Sequence, residues 1–183
     1  MVVLVFLING VLIFQTFLSY GCLLLNKGII MYFHSIKSTQ HLPISLEEAW
    51  SFFSSPYNLP KITPPEMGFL IISDKKDAEK MYAGQIISYI LKPLFNIPVK
   101  WMTEISHVKD NEYFIDEQRF GPYKLWHHKH SFVKTENGVE MTDVVNYVLP
   151  FGIFGEIAHN LFLRKRIEYI FEYRTKILNE RFK

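Results

Sequence analysis

The stretch EYFIDEQRFGPYKLWHHKHSFVKTENGVEMTDVVNYVL, from Glu112 to Leu149, decides the fold: it alternates apolar and polar residues and is broken only at turn dipeptides. β-Branched and aromatic residues recurring with a period of two read as strands. Gly121-Pro122 separates a strand over 112–120 from one over 123–134, and Asn137-Gly138 separates the latter from 139–149. Asn-Gly is the strongest short hairpin signal. It predicts Glu136 opposite Val139 and, counting outward, Phe132 opposite Asp143, His130 opposite Val145 and His128 opposite Tyr147. A three-residue loop at Gly121-Pro122 predicts Phe120 opposite Lys124, Gln118 opposite Trp126 and Asp116 opposite His128. A tight turn at Asp110-Asn111 then sets Ile105 against Asp116 and Thr103 against Gln118.

These counts sort the side chains onto two faces. One carries Trp101, Thr103, Ile105, Phe114, Asp116, Gln118, Phe120, Trp126, His128, His130, Phe132, Asp143, Val145 and Tyr147. The other carries Glu104, Glu117, Arg119, His127, Lys129, Thr142 and Asn146, a solvated face of the kind antiparallel sheets commonly show. The first face is too polar for a plain core. Asp116, His128 and Tyr147 are expected in one layer, with Gln118, His130 and Asp143 nearby. Buried polar groups cost several kcal/mol unless they bond to each other, to water or to a ligand. Two readings follow: a self-satisfied network that stiffens the sheet, or a cavity with a polar end.

Outward from this block, Phe33 to Leu42 reads as a first strand. Ser45 and Glu48 form a capping box that opens a helix whose apolar stripe is Leu46, Ala49, Trp50 and Phe53. Pro56 ends it, and Asn58 to Pro65 forms a second short helix or turn. Further strands are expected at 68–73, 85–92 and 99–107. A long helix follows, from about Gly155 to Phe182, with Leu163, Ile167, Ile170, Phe171 and Leu178 on its buried side. Runs of strands bounded by helices indicate α+β, and the one surface able to bury the last helix is a curved antiparallel sheet. The expected architecture is therefore a helix-grip arrangement. Phe154, Ile157, Ala158 and Leu161 form a second stripe about half a turn out of phase with the first. Either the helix starts buried nearly all round, or 151–159 is a lid over a cavity.

Residues 1–30 differ in kind from residues 31–183. No charge occurs from Met1 to Asn26, and Val2 to Leu25 is long enough to cross a bilayer, which takes roughly 20 apolar residues. Lys27 and Lys37 follow, which would place the domain on the cytoplasmic side of the inner membrane. Met31, immediately before the first strand, offers the alternative that translation starts there and the domain is simply cytoplasmic. Cys22 is the only cysteine, which excludes an intrachain disulfide and a thiolate metal cluster. The net charge of +2, with mixed signs along the chain, gives no reason to expect nucleic acid as a partner. The densest basic run, Arg164-Lys165-Arg166, reads as a solvated helix face.

Phe114-Ile115-Asp116-Glu117-Gln118, Gly121-Pro122-Tyr123, Trp126-x-His128-x-His130-x-Phe132, Tyr147-x-Leu149-Pro150-Phe151-Gly152 and the final helix with Ile170-Phe171-x-Tyr173-Arg174 form an ordered set. It resembles a subgroup of the START-like (SRPBCC) superfamily, the polyketide cyclase/dehydrase and lipid-transport type. The resemblance spans roughly Met31 to Leu178. It implies a largely apolar cavity between sheet and C-terminal helix that takes a hydrophobic small molecule or lipid.

Within such a cavity Trp101, Phe114, Trp126, Phe154 and Ile157 are the expected apolar wall. Asp116, Gln118, His128, His130 and Tyr147 are expected to orient a polar head. The leading expectation is a non-enzymatic binder or carrier. One alternative is a cyclase- or dehydratase-like enzyme in which Asp116 orients His128 for acid–base work. Another is a protein-interaction domain with a closed cavity. No Gly-x-Ser-x-Gly, His-Glu-x-x-His or glycine-rich phosphate loop occurs. His128 and His130 lack an evident third ligand, so neither metal nor cofactor is expected.

Overall fold

The computed structural model describes residues 3–8, 11–16, 22–26, 29–73 and 81–183, with side chains from Tyr32 onward. In chain order the strands are β1 (Val3–Ile8), β2 (Val11–Thr16), β3 (Cys22–Asn26) and β4 (Ile29–Leu42). Helix α1 (Leu46–Phe53) and two 3₁₀ turns, Pro56–Ile62 and Pro65–Met67, follow. Then come β5 (Leu70–Ile71), β6 (Gln85–Leu91), β7 (Val99–Lys109), β8 (Tyr113–Phe120), β9 (Leu125–Thr135) and β10 (Gly138–Val148). The chain ends in α2 (Ile153–Ala158), a π-helical turn (His159–Leu163) and α3 (Arg164–Arg181). β1 pairs with β2, and the other strands form one sheet in the order β3-β4-β10-β9-β8-β7-β6-β5. Every pairing is antiparallel. The architecture is α+β, as expected, with short helical segments after β4, three where two were expected, and one long helical run at the C-terminus.

Local chemistry accounts for the elements. The Ser45 hydroxyl accepts from the Glu48 backbone N–H at 3.1 Å and caps α1. Ala49 and Phe53 of the expected stripe are buried, together with Phe52. Trp50 meets Phe114 and Phe132 edge-on, which seats α1 on β8 and β9. The apolar core joins these to Leu42, Ile105, Val139 and Met141 of the sheet and to Leu178 and Phe182 at the end of the chain.

The register is as counted at two of the three turns. Asp116 stands opposite His128, while Ile105 faces Asp116 and Thr103 faces Gln118. At the third turn Thr135 pairs with Gly138, so Phe132 meets Met141, His130 meets Asp143 and His128 meets Val145. The expected pairs were displaced by two residues. Gly138 closes the turn instead of sitting at its tip, at φ 144°. A Cβ on Gly138 would lie 2.1 Å from the Leu42 carbonyl oxygen. The glycine therefore serves the close approach of β4's end rather than the turn itself. A shift of two leaves every side chain on its face, and the two faces are as expected with one exception. Phe120 is exposed, because a bulge in the β7–β8 pairing after Gln118 sets it opposite the outward-facing Met102.

The apolar N-terminal stretch does not form the helix expected of it. Its described parts are the strands β1, β2 and β3, and no helix among the described residues is long and apolar enough to cross a membrane. The composition explains the difference. Val3, Val5, Ile8, Val11 and Ile13 are β-branched, and branching at Cβ favours strands over helices. Ile8 also pairs with Val11 across the sequence Asn9-Gly10, a hairpin-favouring dipeptide.

Candidate functional site

Strand alternation sends Trp101, Thr103 and Ile105 of β7, Phe114 and Asp116 of β8, and Trp126, His128 and His130 of β9 to the concave face. Across from them α3 presents Ile167, Ile170, Phe171 and Arg174, and the two surfaces enclose a cavity of about 210 Å³. Its walls are aromatic: Trp101 meets Trp126 edge-on, and Phe69 stacks on Tyr89. The polar tips of Trp101 and Tyr89 are both bonded to Thr103. The Thr103 hydroxyl accepts from Trp101 Nε1 at 3.1 Å and bonds the Tyr89 hydroxyl at 2.8 Å. One small residue thus satisfies two buried donors and leaves the aromatic faces as apolar wall.

The polar end is a ring of charged groups. His130 Nε2 bonds Asp116 Oδ2 at 2.8 Å, and His128 Nε2 bonds Asp143 Oδ1 at 3.1 Å. His128 Nδ1 lies 3.5 Å from Asp116, and the two imidazole centroids are 3.8 Å apart. His130 Nδ1 is 2.7 Å from Asp143 Oδ1, a charge contact not aligned as a hydrogen bond. Arg174 reaches Asp143 Oδ2 at 3.5 Å from the helix side and lies over the Phe53 ring. Asp116, His128, His130 and Arg174 line the cavity.

Electrostatics divides the labour. Burial raises the Asp143 carboxyl, but Arg174 and His130 overcome it and hold the group well below its usual range. Burial raises Asp116 too, and the neighbouring imidazoles outweigh it. Burial lowers His130, while Asp143 and Asp116 more than compensate, so it stays easily protonated. His128 goes the other way: burial and the His130 charge beside it lower its value more than the carboxylates raise it. The surroundings thus favour charge on the two carboxylates and on His130, and the neutral form of His128.

The structure brings together six of the expected residues: Trp101, Phe114, Asp116, Trp126, His128 and His130 all line the cavity. The others lie elsewhere. Gln118 folds back to hold the Tyr123 backbone, its carboxamide donating to the Tyr123 carbonyl oxygen at 2.6 Å. Tyr147 was expected in the layer of Asp116 and His128, but it stands beside Trp126, and its hydroxyl bonds His159 Nε2 at 2.8 Å. Phe154 and Ile157 are 75% and 51% exposed and take no part in the cavity. The helix start is not buried all round, and these side chains do not line the space. The π turn at His159–Leu163 rotates the helix start relative to α3.

Sequence reading placed Asp143 near the polar layer without counting it among the binding residues, and it missed Arg174 as a member of the site. The signal for Arg174 was its position, seven residues after Ile167 and four before Leu178, a charge on the apolar stripe.

No protein-family profile matches the chain, and no curated protein matches it. Solved structures do. TTHA0849 from Thermus thermophilus is similar with a TM-score of 0.59 at 16% identity, over 80% of this chain and 95% of that one. CV1439 from Chromobacterium violaceum gives 0.59 at 14% identity, over 79% and 94%. Ara h 8.0201 gives 0.52 at 9% identity, over 81% and 99%. The fold is the helix-grip fold. Likeness at these identities speaks to fold alone, and function has to be argued from the site.

The histidines imply a pH dependence of stability. The values of His128 and His159 are lowered, in both cases by burial first and then by a neighbouring histidine. Their contribution is thus present above the ordinary value of about 6.5 and is lost as pH falls below it. His130 is raised, so its contribution is full below about 6.5 and is lost as pH rises through its folded value. Below about 6.5 only His128 and His159 bind fewer protons folded than unfolded, so stability is expected to rise from pH 5 to about 6.5, at up to ~1.4 kcal/mol per pH unit for each of the two. Above about 6.5 it declines, and it levels off once folded His130 has lost its proton. Urea midpoints measured at half-unit steps check this; a midpoint that falls between pH 5 and 6.5 would show His128 to be the charged member.

Proposed function

We propose that this chain binds a compact apolar molecule in the cavity between sheet and C-terminal helix, and carries it rather than transforming it. The observation that supports this reading is the division of the cavity into aromatic walls and one charged end formed by Asp116, His128, His130 and Arg174, with Asp143 pairing the last three. An apolar body would displace water from the walls, and one polar group would be oriented by the imidazoles. At about 210 Å³ the space lies below the ~300–1,000 Å³ of common small-molecule sites. That favours a ring-sized ligand or a single short chain over a two-chain lipid. The resemblance of the Phe114 to Phe132 motifs to the polyketide cyclase/dehydrase and lipid-transport subgroup points to the same ligand class.

The test is to purify the full chain without detergent, extract it and identify bound small molecules by mass spectrometry. Emptied protein is then titrated with the neutral fluorophore N-phenyl-1-naphthylamine. A co-purifying apolar compound near one equivalent, or saturable probe uptake displaced by that compound, is the expected result. A chain that is empty and takes up no probe would sink the carrier reading.

A second reading, acid–base catalysis, draws on one observation: His128 faces the cavity while burial favours its neutral form, the state a general base requires. Turnover that disappears in His128→Ala while probe binding persists would favour it.

A further inference from the structure

A second cluster of polar groups lies where the C-terminal helix begins, and the cavity does not use it. His34 on β4 stands opposite Tyr147 on β10 in the strand register. α2 folds back tightly on the loop that leads into it, since a Cβ on Gly155 would lie 2.1 Å from the Pro150 carbonyl oxygen. Glu156 and the following His159 meet the two strand residues. His34 Nε2 bonds Glu156 Oε2 at 2.9 Å, and the His34 and His159 rings stack at 3.8 Å. One donor atom from each of His34, Glu156 and His159 lies within 4.8 Å of the other two.

The groups around the three fix their orientation. His159 Nε2 is tied to the Tyr147 hydroxyl at 2.8 Å, and Glu156 Oε1 accepts from the Asn160 carboxamide at 3.1 Å. With Nε2 carrying the proton toward the phenol oxygen, the lone pair of His159 rests on Nδ1. That atom is buried and has no hydrogen-bond partner among the described residues, in a side chain only 5% exposed. A buried, unpaired imidazole nitrogen is costly unless something electrophilic meets it. The Glu156 side chain retains partial exposure and gives the cluster a route from solvent.

We propose that His34, Glu156 and His159 form a binding site for a divalent first-row metal ion of the zinc type. Two imidazoles and a carboxylate are the donor set of zinc sites that keep a position open for water or a small ligand. The Tyr147 and Asn160 contacts are the outer hydrogen bonds by which such ligands are held in place. The Asp116, His128 and His130 group, equally close-set, does not suit a cation, because its imidazoles are engaged by Asp116 and Asp143 and Arg174 already supplies positive charge there.

The test is calorimetric titration of the chelator-stripped full chain with zinc chloride at pH 7.5. It is repeated on Glu156→Gln and His159→Gln, with circular dichroism to confirm their fold. One equivalent of zinc is expected, bound at least ~10–100-fold more weakly in Glu156→Gln and not measurably in His159→Gln. Glu156→Gln alters a partly exposed side chain, so it keeps the test decisive should His159→Gln misfold. No heat at 100-fold excess zinc over protein (about 100 equivalents), or uptake unchanged in both variants, would overturn the assignment. So would uptake that is lost instead in Asp116→Asn. Failure here leaves the ligand-carrier reading untouched, since that rests on different residues and a different probe.

Discussion

Asp143→Ala is expected to lower stability by about 3–5 kcal/mol, the usual cost of removing one partner from a buried ion pair. Asp143 is the one carboxylate that both imidazoles and the Arg174 guanidinium approach. Without it His130 can shed its proton and become tolerable, but arginine cannot be neutralised in this way. The cost therefore falls mainly on a buried guanidinium whose remaining contacts are the Phe53 ring and the Met141 sulfur. If so, adding Arg174→Met to Asp143→Ala should recover most of the loss, since replacing a buried ion pair by apolar groups of similar size is often nearly neutral. Urea unfolding of the two variants decides the matter. A loss under about 1 kcal/mol for Asp143→Ala alone would mean that Arg174 already reaches water and the ring is not a closed charge set.

The residues of that ring show what a sequence of this kind discloses. Asp116, His128 and His130 were readable because strands alternate strictly, and one well-placed loop at Gly121-Pro122 fixes their register. The Asn137-Gly138 turn was misjudged by two residues, yet the faces survived because the error was even. What did slip was the identity of neighbours: His130, not Phe132, meets Asp143. Helical contributions were harder to see. The break in phase between Leu161 and Leu163 was visible, and it coincides with the π turn at His159–Leu163. One extra residue in a turn rotates what precedes it by about 100°. Periodicity gives no sign of whether such a rotation ends against the sheet or in solvent, and Phe154 ended in solvent. His34 is far in the chain from Glu156 and His159, and they meet only where the start of the C-terminal helix packs on β4. The N-terminal stretch failed for another reason: without charges or alternation, length and hydropathy favour a spanning helix, and β-branching and the Asn9-Gly10 dipeptide were the contrary signals.

Leu178→Ala should cost about 2.7–5 kcal/mol, toward the upper end of that range for a site that cannot collapse. Leu178 is 1% exposed and belongs to the main core. The buried residues of α3 are Ile167, Arg174 and Leu178, and one of these is charged. The helix that roofs the cavity is thus pinned by two fully buried apolar side chains, with Ile170 and Phe171 only partly covered beside the cavity. Removing the pin nearer the C-terminus weakens the attachment of the whole roof more than it weakens the sheet, whose strands hold one another through their ladders. Amide exchange should therefore accelerate across α3 in the variant by more than in β9 and β10, and apolar probe uptake should become faster. Equal acceleration in helix and strands would show that α3 opens only with global unfolding. A ligand could then reach the cavity only through motion of the loops around Pro93 and Leu59, which also border it.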